Sequence, residues 1–138
     1  MAKSQYIVVV GCGRLGSILA SQLSAEGNSV VVIDLNESNF DALGGEFSGF
    51  KIVGDATELA VLRSAKADKA DCLLAVTDSD NINIMVAQIA KKLFEISTVL
   101  ARVFDPNREA IYRDFGIETI SPTQLSAEAF ANSLGVRN

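Results

Sequence analysis

The chain has 138 residues, 49% of them hydrophobic and 21% charged, a balance that supports one packed core and argues against a disordered chain. Twelve Lys and Arg against 17 Asp and Glu give a net charge of −5, and no basic stripe or tryptophan offers a footprint for nucleic acid. Histidine is absent, which excludes Ser-His-Asp and Cys-His catalysis and removes the commonest zinc ligand and the usual acid/base partner of hydride transfer.

Met1-Ala2-Lys3-Ser4 leads directly into a strand pattern, so no signal peptide is expected. No apolar run approaches the roughly 18 residues of a membrane helix, and a cytosolic protein is expected. Gln5–Val10 is continuous and β-branched, the pattern of a strand buried on both faces. A glycine-rich turn follows, and Leu15, Ile18, Leu19 and Leu23 recur at helical spacing until Gly27. Ser29–Ile33 reads as a second strand closed by Asp34, and Asn36–Leu43 as a short helix with Phe40 and Leu43 inward. Gly44, Gly45 and Gly49 mark a loop before a third strand at Phe50–Val53, and Thr57–Ala65 reads as a short helix. Cys72–Val76 is a fourth strand. Ser79–Leu93 is the longest helix, with Ile82, Met85, Val86, Ile89 and Leu93 on one face. Thr98–Val103 and Glu118–Ile120 are the last two strands. Asp105-Pro106 and Ser121-Pro122 open helices, the second running to about Phe130. Strands separated by helices indicate βαβ units, hence an α/β, Rossmann-like doubly wound parallel sheet of order 3-2-1-4-5-6 with right-handed crossovers. One domain over residues 1–138 is expected. Cys12 and Cys72, 60 positions apart, form no CxxC motif and suit small buried hydrophobes.

Gly11-Cys12-Gly13-Arg14-Leu15-Gly16 matches G-x-G-x-x-G between a strand and a helix, the context in which such a loop cradles a pyrophosphate on the helix N-terminus. Asp34 ends the second strand, 23 residues after Gly11, where an acid accepts hydrogen bonds from ribose hydroxyls. It also suits capping of the following helix. Neither Leu35 nor Asn36 supplies a positive charge for a 2′-phosphate, which favours NAD(H) or adenosine nucleotides over NADP(H). In Gly54-Asp55-Ala56-Thr57, Asp55 suits either acceptance from an adenine amino group, with Ala56 beside the ring, or capping of the next helix. Thr77-Asp78-Ser79-Asp80-Asn81 lies across the switch point, polar enough to face phosphates or a second ribose, though Ser79 or Asp80 better suits an ordinary helix cap. Arg14 suits contact with a terminal phosphate, on its own or a neighbouring subunit, or a solvated surface position. Arg102 interrupts a strand that should be buried, so it points to the cleft or pairs with Asp105 or Asp78.

GCGRLG at 11–16, VVVIDLN at 30–36, GDAT at 54–57, AVTDSDNIN at 75–83 and ARV with DPN at 101–107 stand in an order that resembles the TrkA-type RCK (KTN) N-terminal domain, over Gln5 to about Phe130. The resemblance implies a cytoplasmic regulatory subunit of a potassium transport system, peripheral to the membrane through a transporter or channel subunit. It implies binding of NAD(H) or of ATP, ADP or AMP, and assembly into dimers or larger rings. Arg14, Asp34 and Asp55 stand where the family carries its arginine and two acids. The candidate nucleotide-binding residues are Gly11, Cys12, Gly13, Arg14, Leu15, Gly16, Asp34, Leu35, Asn36, Asp55, Ala56, Thr57, Val76, Thr77, Asp78, Asn81 and Arg102. Many family members carry a second lobe beyond this domain. The competing class is an NAD-dependent oxidoreductase fragment, which needs an acid/base group near the nicotinamide. Neither Tyr6 nor Tyr112 falls at a strand's carboxyl end, so a regulator without chemistry of its own is the expected function, with no catalytic or metal site.

Overall fold

The computed structural model describes residues 3–136. Six parallel strands form one sheet of order β3-β2-β1-β4-β5-β6, the Rossmann-like order expected from the sequence. β1 (Tyr6–Val10) and β2 (Ser29–Asp34) lie inside it, with β4 (Cys72–Ala75) and β5 (Thr98–Arg102). β3 (Phe50–Val53) and β6 (Glu118–Ile120) are its edges. The central strand explains why its sequence does not alternate. Val8 and Val10 enter one apolar cluster with Ile33, Leu62, Leu73 and Val86, while Ile7 and Val9 enter another with Val30, Val32 and Phe40. A strand covered on both faces must be apolar at every position. Cys12 and Cys72 are free and buried in the second cluster.

The helices differ from their expected faces. α1 (Arg14–Ala25) buries Gly16, Ser17, Ala20, Ser21 and Ser24. Leu15, Leu19 and Leu23 are only partly covered, and Ile18 is 49% exposed rather than inward. Small residues at that face let the helix axis approach the sheet, and the leucines flank the contact. The expected helix at Asn36–Leu43 is a 3₁₀ segment, Glu37–Ala42, whose N-cap Asn36 accepts from the Ser38 amide. Glu-Ser-Asn-Phe-Asp-Ala holds few strong helix formers, and Ser, Asn and Asp compete for the backbone. α2 is Leu59–Ser64, shorter than expected because Asp55 and Thr57 form a separate turn ahead of it. α3 (Asp80–Lys92) buries Asn83, Val86, Ala87 and Ala90, leaving Met85 and its capping Leu93 exposed. α4 is Glu109–Asp114, and α5 (Pro122–Ser133) outruns its expected end at Phe130 and buries no residue.

All strands run the same way, so their carboxyl ends share one edge. The chain leaves β1 toward β2 and returns to β4 on β1's other side, which opens a crevice between the β1 and β4 loops. The main chain seals its floor: Gly11 N–H donates to Ile33 O (2.8 Å) and Val76 N–H to Val10 O (2.9 Å). Leu62, fully buried, anchors α2 to the first cluster. Leu62→Ala is expected to cost about 2–5 kcal/mol, read as a lower urea midpoint at unchanged slope.

Candidate functional site

The glycine loop is shaped by contacts on both sides. Gly11 has φ +105°, and a Cβ there would press on the Thr77 and Val76 backbone at 3.0 Å. A Cβ on Gly16 would collide with the Gly11 carbonyl, so α1 starts against the loop only because both positions are glycine. Gly13 is different: a Cβ there would meet nothing within 4 Å. No packing contact demands glycine at 13, and the space beside it is the cleft. Gly13 is also the N-cap of α1 and makes no side-chain cap bond, so the free N–H groups of the first turn face that space.

Asp34, half-buried at the end of β2, is the hub beside this loop. Its Oδ2 accepts from the Cys12 amide at 2.7 Å. Its Oδ1 accepts from the Asn36 amide (2.8 Å) and from Asn39 Nδ2 (3.0 Å). A carboxylate has about four lone-pair sites, so one remains for a ligand hydroxyl. The cap of the 3₁₀ segment is Asn36, and Asp34 is not that cap.

Asp55 accepts the Thr57 amide (2.9 Å) and the Thr57 hydroxyl (2.6 Å), both through Oδ1. These bonds, the hydroxyl's first, hold its carboxyl below the ordinary range against a smaller opposing effect of burial. It therefore caps the 55–58 turn and not α2, whose N-cap is Glu58. Across the crevice, Ser79 caps α3 by accepting from the Ile82 amide (3.2 Å). Arg102 reaches back from β5 and donates through Nη2 to the carbonyls of Val76 (2.7 Å) and Thr77 (2.8 Å). Its guanidinium lies 4.7 Å from the Phe104 ring centroid. Burial draws Arg102 down from its ordinary value, against the nearby charges of Asp78 and Asp80. The expected pairing of Arg102 with Asp105 or Asp78 is not formed. The carbonyls fill that role, and Asp105 lies 3.9 Å from Arg108.

Gly11, Gly13, Asp34, Asp55, Arg102 and Phe104 line a cleft of about 740 Å³ at the carboxyl edge of the sheet, within the range of ligand pockets. The TrkA-N domain family matches residues 7–122. The chain belongs to this family. It is similar to the Trk system potassium uptake protein TrkA of Streptomyces coelicolor, 36% identical over 129 residues, covering 94% of this chain and 58% of that protein. The chain thus spans less than two thirds of the relative's length. Two solved structures share the fold. Shewanella denitrificans Kef CTD in its AMP-bound form has a TM-score of 0.80 at 23% identity, covering 94% of this chain and 80% of that one. The GsuK channel bound to NAD has a TM-score of 0.71 at 19% identity, covering 87% and 22%.

In this TrkA-N domain the cleft gathers twelve of the sequence-derived candidates: Gly11, Gly13, Arg14, Asp34, Leu35, Asn36, Asp55, Ala56, Val76, Thr77, Asp78 and Arg102. Five others do not line it. The Cys12 side chain is buried in the core, Leu15 packs on the same cluster, and Gly16 lies under the loop. The Thr57 hydroxyl turns to Asp55, and Asn81 accepts from Arg108 Nη1 at 2.9 Å on the surface. Sequence reasoning missed Val10, Ile33, Gly54, Asn39, Ile82 and Phe104 as lining residues. Val10 ends β1, Ile33 is next to last in β2 and Gly54 follows β3, so the strand pattern points to all three. Asn39 and Phe104 carry no such signal, since folding of the loops brings them in.

Burial, then the Asp34 charge, pushes the Cys12 thiol up from 9.0 to about 11, against a smaller lowering by Lys51. A folded value above the unfolded one adds stability that is complete below the unfolded pKa and lost as pH rises through the folded one. Folding stability is therefore expected to decline between about pH 9 and 11 through this group. Urea titrations across that window, compared with Cys12→Ala, should show a shallower decline in the variant.

Proposed function

We propose that this domain is a nucleotide-binding sensor, taking NAD(H) or ATP, ADP or AMP, in the regulatory subunit of a potassium transport system. The observation that carries the reading is the open space at Gly13. It lies between the first turn of α1, Asp34 at the β2 end and the β4 loop, with no side chain to fill it. Such a crevice suits a phosphate over the α1 N-terminus, a ribose hydroxyl at the remaining site on Asp34, and an adenine between the β2 and β3 loops near Asp55 and Ala56. Arg14 on the first helical turn suits recognition of a terminal phosphate. The AMP-bound and NAD-bound neighbours of the same fold support this choice of ligands.

The regulatory role rests on the TrkA relative and on the chemistry of the cleft. Among the described residues its titratable side chains are Asp34, Asp55, Asp78, Arg14 and Arg102, with no lysine, tyrosine or cysteine for proton transfer beside a nicotinamide. No described helix is long and apolar enough to cross a membrane. The reading therefore places the domain in the cytoplasm, attached through a membrane-embedded transporter or channel subunit, as one domain over residues 1–138.

Assembly with a second copy belongs to the same reading. α5 buries none of its residues, and Leu125 is 56% and Phe130 73% exposed. Ile111 on α4, Phe115 at its C-cap and Ile120 on the edge strand are exposed as well. Exposed apolar patches of this kind mark interfaces, and a two-fold dimer is the commonest closed form.

Calorimetric titration with NAD(H) and ATP tests the binding site. Asp34→Ala is expected to weaken binding by about 1.5–3 kcal/mol, the range for a hydrogen bond to a charged group. NADP(H) should stabilise the wild type less than NAD(H) in thermal-shift titration, because Asp34 repels a 2′-phosphate. Equal affinity in the variant would refute the role of Asp34. For assembly, light scattering at tens of micromolar, on the order of a typical working range, should give a dimer or larger mass. The double variant Leu125→Asp, Phe130→Asp should give a monomer.

A further inference from the structure

Two residues of the stretch Thr77-x-x-Asp80-x-x-Asn83, Asp80 and Asn83, have no role in the reading above, yet their side chains make six hydrogen bonds beside the cleft. Asp80 accepts the Phe104 amide through Oδ1 (2.7 Å) and the Asp105 amide through Oδ2 (3.1 Å). Asn83 is fully buried. Its Oδ1 accepts from the Thr77 amide (2.9 Å) and hydroxyl (2.6 Å). Its Nδ2 donates to the carbonyls of Thr77 and Arg102, both at 3.0 Å. One turn of α3 therefore grips the loop after β4 and the loop after β5 together.

The gripped groups face the cleft. Arg102 and Phe104 both line it, with the guanidinium stacked on the ring and Nη2 anchored on two carbonyls. Arg102 Nε is buried and has no hydrogen-bond partner among the described residues. A buried N–H left unpaired costs free energy, which the two Nη2 bonds and the Phe104 ring offset, and Nη1, which makes no hydrogen bond among the described residues, is left to meet a phosphate oxygen. In the nucleotide reading the sugar lies at Asp34 and the phosphates run from the glycine loop toward the β4 loop, and Arg102 lines the cleft on that far side.

We infer that Asp80 and Asn83 are positioning residues that hold Arg102 and Phe104 as a preformed recognition element for the phosphate beyond the first, so that the clasp separates AMP from ADP and NAD. This rests on the nucleotide reading of the same cleft. Holding Arg102 in place before binding removes the ordering cost that a free arginine would incur on meeting the ligand. The clasp also ties the β4 and β5 loops into one unit, so a ligand that reaches Arg102 meets both.

The test is calorimetric titration of the wild type, Asp80→Ala and Asp80→Asn with AMP, ADP and NAD⁺, beside amide hydrogen exchange of the unliganded proteins. Asp80→Ala should leave AMP affinity within about twofold while weakening ADP and NAD⁺ by about tenfold or more, the scale of one charge-assisted hydrogen bond. Asp80→Asn keeps one acceptor oxygen and should fall between. The Phe104 and Asp105 amides should exchange faster in Asp80→Ala, a local change that melting temperature alone does not report. Equal weakening of AMP and ADP, or no weakening of either, would overturn the clasp while leaving the nucleotide site standing. Unchanged exchange at both amides would overturn it as well. A wild type that bound none of the three would refute the nucleotide reading, and this inference with it.

Discussion

The contact between Gly16 and the carbonyl of Gly11 sets the geometry on which the rest of the molecule depends. No other residue fits there, because a Cβ on Gly16 would overlap that carbonyl. The start of α1 is thereby pressed against the end of β1, and its small-residue face, Ser17, Ala20, Ser21 and Ser24, continues the close approach along the sheet. From this follows the position of the free N–H groups of the first helical turn, at the point where the strand order reverses. A helix set further from the sheet would leave the same groups in solvent and the crevice without a floor.

Asp34 completes that arrangement by electrostatics rather than by packing. Its carboxylate collects the Cys12 amide, the Asn36 amide and the Asn39 carboxamide, so one charge fixes the glycine loop, the β2 exit and the 3₁₀ segment together. The same charge raises the Cys12 thiol and helps keep it protonated. The cleft is divided in character. Asp34 and Asp55 stand on the β2 and β3 side, while Arg14 stands at the α1 start and Arg102 at the β5 end with Asp78 near it. Such a division suits a ligand whose sugar hydroxyls and phosphates lie at separate places along its length.

The two ends of the sheet are finished differently. Around β1 the core is covered on both faces, with Val8, Val9, Leu73 and Val86 fully buried. Beyond β5 the chain adds α4, a three-residue edge strand and α5, a helix without a buried residue. A helix of this length gains most of its stability from packing rather than from propensity, so α5 needs a surface to lie on. The cleft and this end of the sheet meet at β5, whose last residue, Arg102, lines the cleft and whose edge pairs with β6.

The linear sequence by itself determined the alternation of strands and helices, the sheet order, the glycine loop and the placement of Asp34. Each of these is written in local terms: β-branched runs too short for helices, glycine at three fixed positions, an acid at a strand end. Helix faces were less legible. Leucine spacing suggested that Ile18 and Met85 point inward, whereas close packing selected Gly16, Ala20, Ala87 and Ala90 for the contact. Only the tertiary structure decided what the polar residues near the switch point do. Asp55 caps its own turn, Arg102 binds carbonyls instead of an acid, and Asn83 joins Thr77 to Arg102, 25 residues apart in the chain. A side chain with several donors and acceptors is satisfied by whichever partners folding brings within reach, and those partners come from strands that only the sheet places side by side.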